Sequence, residues 1–326
     1  MSPVTFDAPA SSSTSHDPAR ERFLAALPAE PTWEDRLEAR SLPLTTRFTL
    51  GSRITGVQQA FLDEHGFLVF AQVATAAELE AMEGGIRDLE RRWLSEGRKT
   101  VYGIPLFVGQ DPEGNPFIQR FAFSSCFCPE IRAFVRSERL LPVRSVIGLN
   151  TRVGDEERDG VVFNRNLNVP GSVYTGVAWH TDALRDVFYM RTPQRQLNVG
   201  LHFDRIKKED GGLRLLPGTH RQGLWSMCTT MPHFVSQKDY ANEVAVETEP
   251  GDLTVHDGRM WHRVVPSPHM GWRSLRRSMY VPYLTDEYSP KSPDSPTPAY
   301  HHLFVRVRKA QGALSKLGAK LRRRRG

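Results

Sequence analysis

The chain is poor in cysteine and has no long apolar run. Three cysteines occur in 326 residues, and Cys126 and Cys128 are separated by one residue, too close for a usual zinc pair. So few thiols exclude a disulfide-stapled scaffold and fit reduced cysteines in a cytoplasmic protein. No apolar stretch reaches the ~18 residues that span a bilayer. The N-terminal residues lack the basic-then-apolar order of a secretory signal, so a cytoplasmic location is expected. Acids are missing from the other end: residues 303–326 carry nine Lys/Arg and no Asp or Glu. Taking those nine from the net charge of +6 leaves −3 for the remainder. The basic character therefore sits in one tail, and nothing in the body reads as a nucleic-acid footprint.

What is present is ordinary for a globular protein, with 39% apolar and 25% charged residues. Residues 1–50, rich in Pro, Ser and Ala, read as a mobile tail with one short helix near 33–40. Thr75 and Glu78 form a capping box, and Leu79, Met82, Ile86, Leu89 and Trp93 recur at helical spacing behind it. From Val101 onward short extended runs alternate with turn clusters, with strands expected at 117–123, 145–152, 161–169, 176–182, 197–204, 212–216, 252–257, 261–265 and 276–284. Many short strands at regular spacing point to a mainly β barrel or jelly roll over 51–298, with the N-terminal helices packed outside. Residues 299–326 read as a basic amphipathic helix, with Leu303, Val307, Ala310, Leu314, Leu317 and Leu321 as its apolar stripe. Such a tail suits an anionic membrane surface or an acidic partner.

Chemistry gathers at Trp179-His180-Thr181-Asp182. In an extended segment His180 and Asp182 share a face, offering one imidazole and one carboxylate to one metal ion. A third ligand comes from His256 or His262, and spacing alone does not separate them. Two histidines and a carboxylate on one side of a metal is the facial arrangement of non-haem Fe(II) oxygenases. Residues 161–169 put Asn164, Asn166 and Asn168 on one face, the lining of a wet cavity, and Arg120 stands opposite its aromatic neighbours on 117–123. Arg276 and Arg277 lie on opposite faces of a strand. An unpaired buried guanidinium is costly, so one of them is placed to bind a carboxylate in bidentate fashion. His220, beyond the Pro217-Gly218-Thr219 turn, is expected to be structural.

The order Trp179-His180-x-Asp182, Gly211-Gly-Leu-x-Leu-Leu-Pro-Gly-Thr-His220, Pro250-Gly-Asp252 leading to His262, then Arg276-Arg277, resembles the phytanoyl-CoA dioxygenase family of Fe(II)- and 2-oxoglutarate-dependent oxygenases. The resemblance covers roughly residues 55–285 and lies in the linked order of the segments. It implies a double-stranded β-helix (jelly-roll, cupin-like) core, with His180, Asp182 and His262 as metal ligands. It selects His262 over His256, because the family's distal histidine follows the turn after the Gly-Asp strand. It implies a co-substrate site at Arg276, with Ser278 as the small residue that follows it. Arg277, Asn166 and Arg120 are further candidates for that site. The chain departs from the family's usual His-Gly-Ser-Gly, reading His262-Arg-Val-Val-Pro, and the spacing from His262 to Arg276 is longer than usual.

The implied reaction uses Fe(II), 2-oxoglutarate and O2, releases succinate and CO2, and by default hydroxylates an aliphatic C–H of a small or lipid-like substrate. Desaturation and ring formation are open to the same chemistry. Asp182 argues against halogenation, since related halogenases lose that carboxylate. Two other readings compete: a metal-dependent isomerase or hydrolase on the same fold that needs no 2-oxoglutarate, and a non-catalytic binding protein.

Overall fold

The computed structural model describes residues 18–299 apart from 171, 173, 184–185 and 187–193. Four helices precede or flank the sheets: α1 (Pro18–Ala25), α2 (Trp33–Ser41), α3 (Gly56–His65) and α4 (Ala76–Ser95). The strands in chain order are β1 (Phe67–Phe70), β2 (Thr100–Val101), β3 (Ile104–Pro105), β4 (Phe107–Gln110), β5 (Pro116–Phe121), β6 (Arg152–Val153) and β7 (Val162–Asn166). They continue with β8 (Val177–His180), β9 (Leu197–His202), β10 (Gly212–Leu215), β11 (Val244–Ala245), β12 (Leu253–Asp257), β13 (His262–Val265) and β14 (Arg276–Leu284).

Two sheets make the jelly roll. The major sheet runs β1-β12-β9-β14-β7-β5-β4, with β6 added to β14; the minor sheet runs β11-β10-β13-β8. Apart from one isolated bridge at Phe48, every described pairing in these sheets is antiparallel. This is the double-stranded β-helix expected from the sequence.

Much of the large hydrophobic cluster lies on the outer side of the major sheet, and Phe67, Val69, Leu213 and Leu215 carry it onto the inner faces. Leu79, Met82, Ile86, Leu89 and Trp93 of α4 pack with Phe121, Phe163, Leu201, Met279 and Val281 of the strands. Trp93 stacks on Phe121 at 5.7 Å. The strands' alternation then assigns the opposite residues, Asn164, Asn166, Gly200, His202, Thr254, His256, Ser278 and Tyr280, to the inner face. The inner face is therefore polar along β7, β9, β12 and β14, and apolar where β1 and β10 contribute Phe67, Val69, Leu213 and Leu215. Each long helix begins with a capping box: Thr32 with Asp35, Thr55 with Gln58, and Thr75 with Glu78.

Two sequence expectations are corrected. Residues 18–50 are not a loose tail. Phe23 and Ala39 are buried, and Arg47 forms an ion pair at 2.5 Å with Asp252, a fully buried carboxylate. Asp252 also accepts from the Gln72 and Glu249 amides. The anchoring partner is 205 residues away, so no local pattern announces it. Residues 145–152 are not a strand either. Pro142 starts a short helix, Leu141–Ser145, Gly148 turns the chain at φ +107°, and only Arg152 and Val153 pair. Residues 1–17 and the basic tail at 300–326 lie outside the described residues.

Candidate metal centre

His180 and His262 are direct cross-strand partners where β8 meets β13, and their ring centroids lie 4.1 Å apart. Asp182 follows in the turn just past β8. Ligand atoms from His180, Asp182 and His262 all fall within 4.8 Å of one another. The Nε2 of His180 is 4.0 Å from Asp182 Oδ1, and that of His262 is 3.8 Å from Oδ2. Bonds of about 2 Å to a shared ion would span separations of this order.

The tautomers fit the same reading. His180 Nδ1 lies 2.8 Å from the Ala178 carbonyl, and His262 Nδ1 lies 3.0 Å from the Met260 carbonyl. A carbonyl only accepts, so each Nδ1 carries the proton and donates. Each Nε2 lone pair is then left facing Asp182. Ligating histidines are held in this way, with the outer N–H on a fixed acceptor. Burial, with His262 alongside, pushes the His180 pKa well below its ordinary value, against a smaller opposing effect of the Ala178 carbonyl. The ring is therefore a neutral, ligand-ready base at physiological pH. Asn198 on β9 donates to Asp182 Oδ2 at 3.0 Å and orients the carboxylate.

The outer face of β8 explains why the strand sits here. Trp179 is fully buried with Leu216, Met231 and Trp261, and its indole donates to the Lys238 carbonyl. A segment around 233–239 lies along this edge, pairing Phe234 and Ser236 with the Trp179 backbone. Arg263 straps it down, bonding the Gln237 carbonyl and pairing with Asp239 and Glu243. The strap holds Phe234 at φ +61°, a left-handed conformation that costs a non-glycine residue of order 1–3 kcal/mol. Its ring is stacked on His180 at 4.7 Å. One wall of the centre is thus aromatic.

Arg276 and Arg277 part company. Arg276 is buried beside Asn166, its register partner on β7. It donates to the carbonyls of Val265 at 2.7 Å and Thr175 at 3.0 Å, and no carboxylate among the described residues pairs with it. Burial pushes its pKa down to about 10, with Arg214 adding to the effect. It is still a cation at neutral pH and it lacks an anion. Gly211, at φ +90°, has no room for a Cβ: Arg276 Nη1 would be 2.8 Å away and the Val265 carbonyl 2.6 Å. The Gly211-Gly212 pair thus lets the guanidinium pass. Val265 is three residues from His262 on β13, roughly 10 Å of strand.

Arg277, on the opposite face, pairs with Asp204 at 2.5 Å and with Glu83. Arg120 pairs with Asp159 at 2.6 Å. Both guanidinium groups already pair with carboxylates, whereas Arg276 pairs with none among the described residues. Asn166 stands beside Arg276, with its amide 3.4 Å from the Tyr174 carbonyl. His220 is buried against Gly66 and hydrogen-bonds the Asp63 carbonyl, a structural placement. Sequence reasoning missed Asn198, which the alternation on β9 would have put on the inner face. It also missed Phe234, for which no sequence signal exists. His256, a rival for third ligand, stands beside the cluster with its Nε2 3.9 Å from Asp182 Oδ2.

Comparison with known proteins follows this geometry. The phytanoyl-CoA dioxygenase (PhyH) family model matches residues 62–266. The dioxygenase af480 of Aspergillus fumigatus is 28% identical over 211 residues, covering 63% of this chain and 59% of that protein. The chain thus spans about three-fifths of the length of that relative. The structure of HygX from Streptomyces hygroscopicus, solved with nickel and 2-oxoglutarate bound, is 18% identical with a TM-score of 0.53, over 73% of this chain and 89% of HygX. The α-ketoglutarate-dependent carbocyclase SnoK from nogalamycin biosynthesis is 18% identical with a TM-score of 0.50, over 81% and 96%. At such identities the two structures speak to the fold alone.

Proposed function

Because this chain belongs to the phytanoyl-CoA dioxygenase family of iron- and 2-oxoglutarate-dependent oxygenases, we propose that it hydroxylates an aliphatic C–H bond of a small, largely apolar molecule. His180, Asp182 and His262 hold the iron, and Arg276, with Asn166 beside it, takes the far carboxylate of 2-oxoglutarate. The observation that carries this reading is the pairing of two features. Two Nε2 lone pairs and a carboxylate converge at one end of the β8–β13 ribbon. A buried, anion-less guanidinium reaches the other end.

Iron, 2-oxoglutarate and O2 supply the oxidation, with succinate and CO2 as co-products. The protein's residues do the rest. Asn198 fixes the carboxylate of Asp182, the Ala178 and Met260 carbonyls fix the two imidazoles, and Phe234 shields His180 from water on one side. Val235, within the strapped segment, and Leu224 and Trp225, ahead of it in the chain, are exposed apolar side chains. They support a lipid-like or similarly apolar substrate.

The test is succinate release by anaerobically purified protein supplied with Fe(II), 2-oxoglutarate and air. Slow turnover without added substrate is expected, along with a weak visible charge-transfer band when Fe(II) and 2-oxoglutarate are combined anaerobically. Absence of both would remove the co-substrate and leave the metal-dependent isomerase or hydrolase reading. With a substrate in hand, gain of one oxygen atom in the product identifies hydroxylation, whereas loss of two hydrogens identifies desaturation or ring closure.

The basic stretch 303–326 extends the proposal to peripheral contact with an anionic membrane. Each Lys or Arg near such a surface contributes about 1 kcal/mol. Deleting 303–326 should therefore lower retention on phosphatidylserine-containing vesicles by more than about ten-fold, with little retention on neutral vesicles by either form. Equal retention of full-length and truncated protein would sink the membrane reading.

A further inference from the structure

His256 is the described histidine whose chemistry the site above leaves unused. It sits on β12, opposite Asn198 of β9, on the inner face with Thr254. It is 1% exposed, and neither ring nitrogen has a hydrogen-bond partner. Among the described histidines it alone has both nitrogens buried and unpartnered. The others near the barrel are anchored: His202 to Thr254, His220 to the Asp63 carbonyl and His233 to the Met227 carbonyl. The His256 ring is 4.7 Å from that of His262 and 6.5 Å from Tyr280.

A neutral imidazole carries one donor and one acceptor. Leaving both desolvated is unfavourable, and an apolar residue of similar volume would fill this space without that cost. Asp182 Oδ2 does not satisfy the ring. At 3.9 Å it is beyond hydrogen-bond reach, and it already accepts from Asn198. His256 also falls outside the group of ligand atoms that converge on one point. The ring is placed beside the metal ligands with both nitrogens buried and unpartnered.

We propose that His256 donates a hydrogen bond to the metal-chelating end of 2-oxoglutarate and so selects how the co-substrate lies on the iron. This rests on the oxygenase reading given above. Arg276 would hold one end of the diacid and His256 the other, and the two contacts together would fix its direction in the barrel.

The experiment compares wild type with His256→Phe and His256→Gln. Three quantities are read: Mn(II) affinity by electron paramagnetic resonance, anaerobic 2-oxoglutarate affinity with Fe(II) bound, and the position of the charge-transfer band. Loss of one hydrogen bond to a charged group should weaken 2-oxoglutarate binding about ten-fold or more in His256→Phe, with a shifted band. His256→Gln, which keeps a donor, should recover most of both. Mn(II) affinity should stay within a few-fold of wild type in each variant. Wild-type 2-oxoglutarate affinity and an unshifted band in His256→Phe would overturn the proposal. So would a large fall in Mn(II) affinity in both variants, which would make His256 a metal ligand. If wild type itself fails to bind 2-oxoglutarate, the oxygenase reading fails first, and that outcome is distinct from a change confined to the variants.

Discussion

Asp182→Ala is expected to lose metal binding and turnover together while leaving the apoprotein folded. Asp182 is the single anionic group in the cluster, facing two imidazoles. Losing a residue that merely orients a ligand costs roughly 10–100-fold in metal affinity, so losing the carboxylate itself should cost at least about 100-fold. The measurement is thermal unfolding with and without Mn(II) or anaerobic Fe(II). At 100 times its dissociation constant a metal stabilises the folded state by about 2.7 kcal/mol, a shift of several degrees for a chain of this size. Wild type should show that shift and Asp182→Ala should not. The apoprotein melting temperatures should stay close. The Asp182 side chain is 30% exposed, and its direct hydrogen-bond partner among the described residues is one amide, that of Asn198. A variant that kept the metal-induced shift would remove Asp182 from the ligand set. His180→Ala is a weaker test, because it also leaves the Phe234 ring without the imidazole it stacks on.

The second large effect is expected at Arg276. Replacing it with Met keeps the length and apolar stem but removes the cation. Hydrogen bonds to charged groups contribute about 1.5–3 kcal/mol each, and a guanidinium offers a carboxylate two. A rise of about 100-fold or more in the 2-oxoglutarate KM is therefore expected. The kcat should change much less, since the far carboxylate is held equally before and during reaction. Arg277→Ala is the contrasting variant. It strands Asp204 without its cation and leaves Glu83 only the longer contact with Arg87 at 3.9 Å, so it should lower the melting temperature and leave the 2-oxoglutarate KM near wild type. If Arg276→Met bound 2-oxoglutarate normally while Arg277→Ala did not, the assignment of the two arginines would be reversed.

The separation of these arginines shows what sequence could and could not carry. Alternation placed Arg276 and Arg277 on opposite faces of one strand, and the strand exists as read. Which face is inward depends on α4, whose Glu83 meets Arg277 from outside. That contact spans 194 residues. The amide stripe at Asn164 and Asn166 was legible for the opposite reason. Buried amides on a central strand need polar company, and a wet interior is where it is found. His256 and His262 were inseparable by spacing, and both do reach Asp182. What distinguishes them is the Met260 carbonyl that orients His262, a detail of a turn. The strap at 233–239 has no periodicity at all. It is held by Arg263 and the Trp179 backbone, and neither partner could be inferred from the segment's own residues.

The packing of α4 against the back of the major sheet has a consequence for how this chain can change. Met279 and Val281 face the packed helices, while their immediate neighbours Ser278 and Tyr280 face the chamber. Two functions with different tolerances are therefore interleaved at every second residue of one strand. Substitutions at 278 or 280 alter which molecule fits and leave the scaffold standing. Those at 279 or 281 lower the amount of folded protein whatever the substrate. Such a division lets one barrel be refitted for new chemistry by changes that selection can sample singly, without first restoring lost stability.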